Sequence, residues 1–238
     1  MGKKMKLDRM LQSQGFGTRK WCQHLISSGE VKIGGVIAYD PRDVTVEGLR
    51  FEIFGETWTY RKHIYIALNK PADYECSRKS SHHPGVHTLL PEQFVLRDVQ
   101  PVGRLDHDTT GILLMSDDGG FIHNQSSPKH HVPKVYVATT HDPVTPELVA
   151  RLLSGVSLHD EPVQLAAVSC RGVATHQLEI VLQQGKYHQV KRMLAAAGNH
   201  CVALQRMQIG DLALETLGIN EGEWCYLDEM RLNLLKSE

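Results

Sequence analysis

Val102-Gly103-Arg104-Leu105-Asp106-His107-Asp108-Thr109-Thr110-Gly111 runs directly into Ile112-Leu113-Leu114-Met115, so a polar loop with a glycine near each end opens an apolar strand. In an extended segment side chains repeat every two residues, which turns Arg104 and Asp106 to the same side. An arginine beside an aspartate favours the ionised carboxylate, and that form suits a nucleophile or general base better than an acid. The plainer alternative is an Asp-Thr turn whose side chains satisfy nearby backbone N–H groups.

Three further blocks carry chemistry-bearing residues. Leu68-Asn69-Lys70-Pro71 closes a strand. Ser127-Pro128-Lys129-His130-His131 leads to Lys134-Val135-Tyr136. Gly185-Lys186-Tyr187-His188-Gln189-Val190-Lys191-Arg192-Met193-Leu194 opens a helix. Taken in this order, the four blocks resemble the RsuA-type pseudouridine synthases, whose loop G-R-L-D-x-D-T-T-G carries the catalytic aspartate. The likeness covers nearly the whole chain. It implies isomerisation of uridine to pseudouridine in ribosomal RNA: the N-glycosidic bond breaks and the base rejoins the ribose through carbon 5. Such a reaction involves no redox change or phosphate transfer, so no cofactor is expected and no metal ligand is assigned. It needs a carboxylate at the sugar, a surface for the detached base, and a base extracted from RNA structure.

The resemblance makes Asp106 the catalytic residue, as nucleophile or as base. Tyr136 shares a strand face with Lys134 and is expected to stack on the target base, a contact worth about 1–3 kcal/mol that tolerates any base. Lys191 stands where the family has the basic partner of the aspartate, often Arg; lysine supplies a point charge in place of a fork. Arg104 and Leu194 complete the expected substrate contacts. Arg192 leaves the helix in another direction and is expected to meet RNA phosphate. The Ser-Pro-Lys-His-His and His-Gln-Val-Lys-Arg-Met blocks, with Gly198-Asn199-His200, are closer to enzymes of small-subunit 16S rRNA than to those of 23S rRNA. The expected partner is therefore 16S rRNA in a small-subunit assembly intermediate, met by a monomer.

With 238 residues, 41% of them hydrophobic, the chain can bury one medium core, or a small domain beside a larger one. No apolar run approaches the roughly 20 residues of a membrane span, and Lys3, Lys4 and Lys6 precede an amphipathic pattern unlike a secretion signal. Five scattered cysteines without a C-x-x-C pair outline neither a disulfide framework nor a thiolate zinc site, which fits a reducing cytoplasm. The 14 histidines include the adjacent pairs His82-His83 and His130-His131, which diverge in a strand, and no H-E-x-x-H occurs. The net charge of −1 hides a split. Residues 1–50 hold nine Lys/Arg against five Asp/Glu (+4), and the remainder holds 17 against 22 (−5). One part is thus suited to dock on a polyanion.

The basic segment reads as two short helices and a hairpin. Leu7, Met10 and Leu11 have helical spacing, Thr18 caps a second helix with the stripe Trp21, Cys22, Leu25 and Ile26, and Gly34-Gly35 joins two strands. This order resembles the RNA-binding module named for ribosomal protein S4. On that likeness Lys6, Arg9, Arg19, Lys20 and Lys32 are the expected phosphate contacts. The domains are then 1–50 for RNA binding, 51–62 as a polar linker, and 63–238 as the catalytic body. Strand and helix signals alternate in the body without a sustained βαβ rhythm, which indicates α+β with a mixed, largely antiparallel sheet.

Two rival readings belong to other classes. Asp106-His107-Asp108-Thr109-Thr110 also fits the D-x-D-x-T of aspartyl-phosphate phosphohydrolases, but there the motif follows an apolar strand, and here it precedes one. A non-catalytic RNA-binding assembly factor would keep the fold and lose the set Arg104, Asp106, Tyr136 and Lys191, all of which are present. A 23S rRNA enzyme is the near alternative within the family.

Overall fold

A computed structural model describes residues 4–46, 48–80, 82–127 and 131–235; Pro128, Lys129 and His130 of the expected RNA-facing block lie outside them. The chain divides into two compact units, Met1–Ile64 with Leu90–Gln100, and Tyr65–Leu89 with Pro101–Glu238.

The first unit contains β1 (Lys4–Lys6), α1 (Leu7–Ser13), α2 (Arg19–Ser27), β2 (Val31–Ile33), β3 (Val36–Ile37), β4 (Asp43–Thr45), β5 (Arg50–Ile53), β6 (Glu56–Thr59) and α3 (Glu92–Leu96). Thr18 caps α2 by accepting from the Trp21 amide at 3.2 Å. Cys22, Leu25 and Ile26 are buried, whereas Trp21, at the edge of the expected stripe, is half exposed. Gly34 and Gly35 both have positive φ, as the two-residue turn between β2 and β3 requires.

Residues 51–62 are not a linker. Strands β5 and β6 form a hairpin that extends the sheet β3-β2-β5-β6. Phe51 and Ile53 are buried in the unit's core, and the Phe16 ring meets Phe51 and Trp58 edge-on at 5.7 and 5.2 Å. Glu52, Glu56, Thr57 and Thr59 made the segment look polar by composition, but the polar and apolar residues alternate as in a half-buried hairpin. Residues 90–100, read as body, also belong to this unit.

Asp8 is fully buried in the first unit. Its carboxylate accepts from Arg19 Nε, Gln23 Nε2 and the Arg9 amide, each at 2.8 Å. Burial pushes the carboxyl pKa up, but these donors outweigh it and hold it below the ordinary value.

The second unit holds β7 (Tyr65–Lys70), the end of a short β8 (Gln100–Pro101), β9 (Thr109–Ser116), α4 (Gly119–Ser126), β10 (Lys134–Thr140), α5 (Pro146–Ser154), β11 (Ser169–Ala174), β12 (Gln177–Leu182), α6 (Gln189–Ala196), β13 (Cys201–Ile209), β14 (Leu212–Ala213), β15 (Trp224–Tyr226) and α7 (Glu229–Asn233). Its main sheet runs β11-β12-β10-β13-β9-β7-β15. Every neighbouring pair in that order is antiparallel except β13 with β9. This is the expected α+β architecture with a mixed, largely antiparallel sheet. Leu148 and Leu152 of α5 pack with Val190, Met193 and Leu194 of α6 in one core cluster, together with Ala138, Leu178 and Ile180. Leu153 of α5 is 42% exposed. A second cluster gathers Ala67, Ile112 and Leu114, with Phe121 and Ile122 of α4 against it. No described helix is long and apolar enough to cross a membrane.

The folded pKa of Asp8 lies below its unfolded value, so its stabilisation is complete above the ordinary aspartate value of 3.8 and is lost as pH falls through the lower folded value. Asp8→Ala should cost about 1–3 kcal/mol at neutral pH. The difference from the parent in urea unfolding should shrink on acidification toward pH 3.

Candidate active site

The loop between β8 and β9 is pinned from below by one lysine. Lys70, at the end of β7, has no exposed surface. Its ammonium donates to the carbonyls of Pro71 (2.8 Å), His107 (3.0 Å) and Thr109 (2.9 Å). Burial lowers its pKa, and nearby acidic groups including Asp108 and Asp106 act against that. A turn bond from the Thr109 amide to the Asp106 carbonyl at 3.1 Å closes the loop. Gly111 then has φ +101°, and a Cβ there would lie 2.2 Å from the Arg206 carbonyl oxygen. Only glycine fits where β9 meets β13.

The pinned loop presents Asp106 with its side chain 28% exposed. Lys191 Nζ lies 3.3 Å from Oδ2, and His188 Nε2 lies 3.1 Å from Oδ1. The same lysine donates to Asp108 Oδ1 at 2.6 Å, so it bridges both loop carboxylates. Burial raises the Asp108 pKa, but the hydrogen bond and charge of Lys191 outweigh it and bring the group below its usual value. For Lys191 the balance is mirrored: burial lowers the pKa, and the bond to Asp108 with both carboxylate charges raises it.

His188 caps α6 in the left-handed conformation, φ 46° and ψ 36°. For a residue other than glycine this is strained, and strain of this kind clusters at functional sites. It sets the imidazole on Asp106, while its ring stacks on the 75%-exposed Tyr187 at 3.9 Å. His188 and Asp108 both carry visible signals in the sequence, lying in the blocks around Lys191 and Asp106, yet residue type alone assigned neither a partner.

A cavity of about 380 Å³ opens beside Asp106, and Arg104, Lys134, Tyr136, His188 and Arg206 are among the residues that line it. Lys134 and Tyr136 thus reach one space from a shared strand face, as expected. Arg104 reaches it too, but is exposed and, among the described residues, forms no ion pair with Asp106. Lys191 of α6 and His188 at its N-terminal cap take that place. Leu194 is not a substrate contact: it has no exposed surface and packs in the core under α6. Arg192 makes its contacts within the turn that precedes α6 and with Asp160. It donates to the Tyr187 carbonyl at 3.2 Å and lies 3.6 Å from Asp160, bracing the turn into α6.

In the first unit, Lys6, Arg9 and Arg19 line one shallow depression together with Lys4. Arg19 is also tied to Asp8, and Lys32 lies 3.4 Å from Glu52. Lys20 is exposed on α2, outside the depression.

Asp73, His83 and His107 bring ligand-type atoms within 4.8 Å of one another. The two imidazoles stack at 4.5 Å and 11°, so their in-plane lone pairs do not converge on a single ion position.

Comparison with known proteins decides what this cavity belongs to. The sequence profile described as RNA pseudouridylate synthase matches residues 64–196. The chain belongs to the RNA pseudouridylate synthase family. A ribosomal small subunit pseudouridine synthase A of Vibrio parahaemolyticus is 35% identical over 94% of this chain and 97% of its own length. The protein of that name from Escherichia coli K12 is 39% identical over 69% of this chain and 71% of its own. A pseudouridylate synthase crystal structure superposes with a TM-score of 0.68 at 32% identity, covering 97% of this chain and 99% of that one. The family match contains Lys70, the Asp106 loop, Tyr136, His188 and Lys191, so the RNA pseudouridylate synthase region includes most of the cavity described above.

Lys70→Met should lose roughly 2–4 kcal/mol of stability, because three carbonyls, that of Thr109 in a buried bond, lose their donor. Pseudouridine formation should fall by at least about tenfold while RNA affinity stays near that of the parent, since the loop and not the RNA surface is disturbed. Urea unfolding and single-turnover kinetics would check the two parts.

Proposed function

We propose that this chain isomerises uridine to pseudouridine in the 16S rRNA of the small ribosomal subunit, with Asp106 as the reacting carboxylate. The observation that supports this best is the clamp on Asp106: Lys191 at one oxygen and His188 at the other, beside a cavity with an aromatic ring on its wall. A cavity of about 380 Å³ lies in the range of sites that enclose a single small ligand, which suits one extracted nucleotide. Tyr136 offers a flat face to its base. The two relatives named for the small subunit support the choice of 16S over 23S rRNA.

Lys191 and His188 fix the carboxylate oxygens in place, so that the reacting oxygen meets the ribose without a search over rotamers. The exposed cations of the first unit, Lys6, Arg9 and Lys20, neutralise backbone phosphates and supply affinity in this reading. The chain acts as a cytoplasmic monomer on an assembly intermediate, and no cofactor takes part. The phosphohydrolase alternative asks for aspartates after a parallel strand, and Asp106 and Asp108 precede β9.

Asp106→Asn should fold like the parent and form no pseudouridine in small-subunit particles; turnover by this variant would overturn the reading in favour of an assembly factor or another residue. Lys191→Ala should slow the single-turnover rate by about 100-fold, and Lys191→Arg should recover most of it because the charge is kept. Pseudouridine maps of 16S and 23S rRNA with and without the gene would decide between the two subunits.

A further inference from the structure

Strands β10 and β13 lie side by side with Tyr136 opposite Arg206. Arg206 is only 3% exposed. Its Nε donates to the Ile112 carbonyl at 2.8 Å, and its Nη2 is buried without a hydrogen-bond partner. Lys134 Nζ has one acceptor, the Val132 carbonyl at 2.7 Å. Neither cation forms an ion pair among the described residues. Burial, and then the positive charge of Arg206, push the Lys134 pKa down to about 8. A buried cation with a half-buried one beside it, neither ion-paired, is unfavourable. When they line a reaction cavity, they mark a place where negative charge is to be received.

The chemistry of the reaction produces such a charge. Breaking the C1′–N1 bond leaves the bonding pair on N1 of the base, where conjugation spreads it onto the two carbonyl oxygens. This holds whether Asp106 adds to the sugar or removes a ribose proton. Carbon 5 then joins C1′, the proton on carbon 5 departs, and N1 gains a proton, with no oxidant or reductant. In an extracted nucleotide the phosphates stay outermost and the base goes deepest. A cation as covered as Arg206 is therefore reached by the base, not by the backbone.

We propose that Arg206, with Lys134 beside it, binds the carbonyl oxygens of the detached uracil and takes up its negative charge, making Arg206 a further catalytic residue. The assignment rests on Asp106 acting at the sugar of the same nucleotide.

The test uses the full chain and 16S rRNA fragments transcribed with either uridine or 5-fluorouridine, because fluorine makes uracil a better leaving group. Loss of the N-linked nucleoside is followed in single turnover, beside RNA affinity at several salt concentrations. Arg206→Met should slow the uridine substrate about 100-fold and the fluorinated one by no more than about tenfold, with affinity and salt slope unchanged. Equal losses on both substrates would overturn the proposal, as would weaker binding with a shallower salt slope, the mark of a phosphate contact. If Arg206→Met does not fold, Lys134→Met takes its place in the same comparison, and the same outcomes support or overturn the proposal. Asp106→Asn run in parallel separates the two readings. Activity in that variant would remove the role of Asp106, whereas an inactive Asp106→Asn with equal losses in Arg206→Met removes only the role of Arg206.

Discussion

The buried ammonium of Lys70 is the contact on which the site depends. A lysine is placed at full burial only when its donors are used, and all three are, on carbonyls of Pro71, His107 and Thr109. Thr109 opens β9 and pairs with Leu204 of β13, while Pro71 and His107 lie outside the strands, so the lysine ties the loop to the sheet edge. The loop that carries Asp106 is thus held by backbone atoms, and its side chains stay available for chemistry. Lys191 and His188 can then grip a carboxylate whose position is already set.

The electrostatics of the unit follow from this arrangement. Lys191 serves both Asp106 and Asp108, and the buried ammonium of Lys70 lies under the same loop, so two carboxylates are met by two ammonium groups next to a ligand that is itself anionic. Arg104, Lys134 and Arg206 line the adjoining cavity. Paired carboxylates stand where the sugar would react, and cations line the cavity beyond them.

Much of this was legible in the sequence where local pattern and geometry agree. The run Ile112–Met115 could only be a buried strand, the stripe of α6 placed Lys191 off the core, and Lys134 and Tyr136 kept the two-residue spacing of one strand face. Legibility failed where tertiary contacts decide. Arg104 lost Asp106 to Lys191, which lies 85 positions further along the chain, a tertiary pairing that no local spacing records. His188 takes a backbone conformation that no propensity favours. Leu194 carried a functional expectation into a position that the core claims. The β5–β6 hairpin was hidden by composition, since its polar face outnumbers the aromatic and aliphatic side chains that anchor it.

Strand β13 has a further consequence, for the order in which the enzyme can be made. It lies between β10 and β9, which have no direct pairing with each other. Asp106 precedes β9, Tyr136 lies on β10, and the strand that joins them comes at Cys201–Ile209, near the end of the chain. Without that strand, nothing in the sheet order joins β7 and β9 to β10 and β12, and each pair would present an open edge. Open edges invite wrong pairing, and contacts spanning this much sequence form slowly. The site is therefore incomplete until β13 pairs on both of its sides, and Arg206 enters the cavity wall with it.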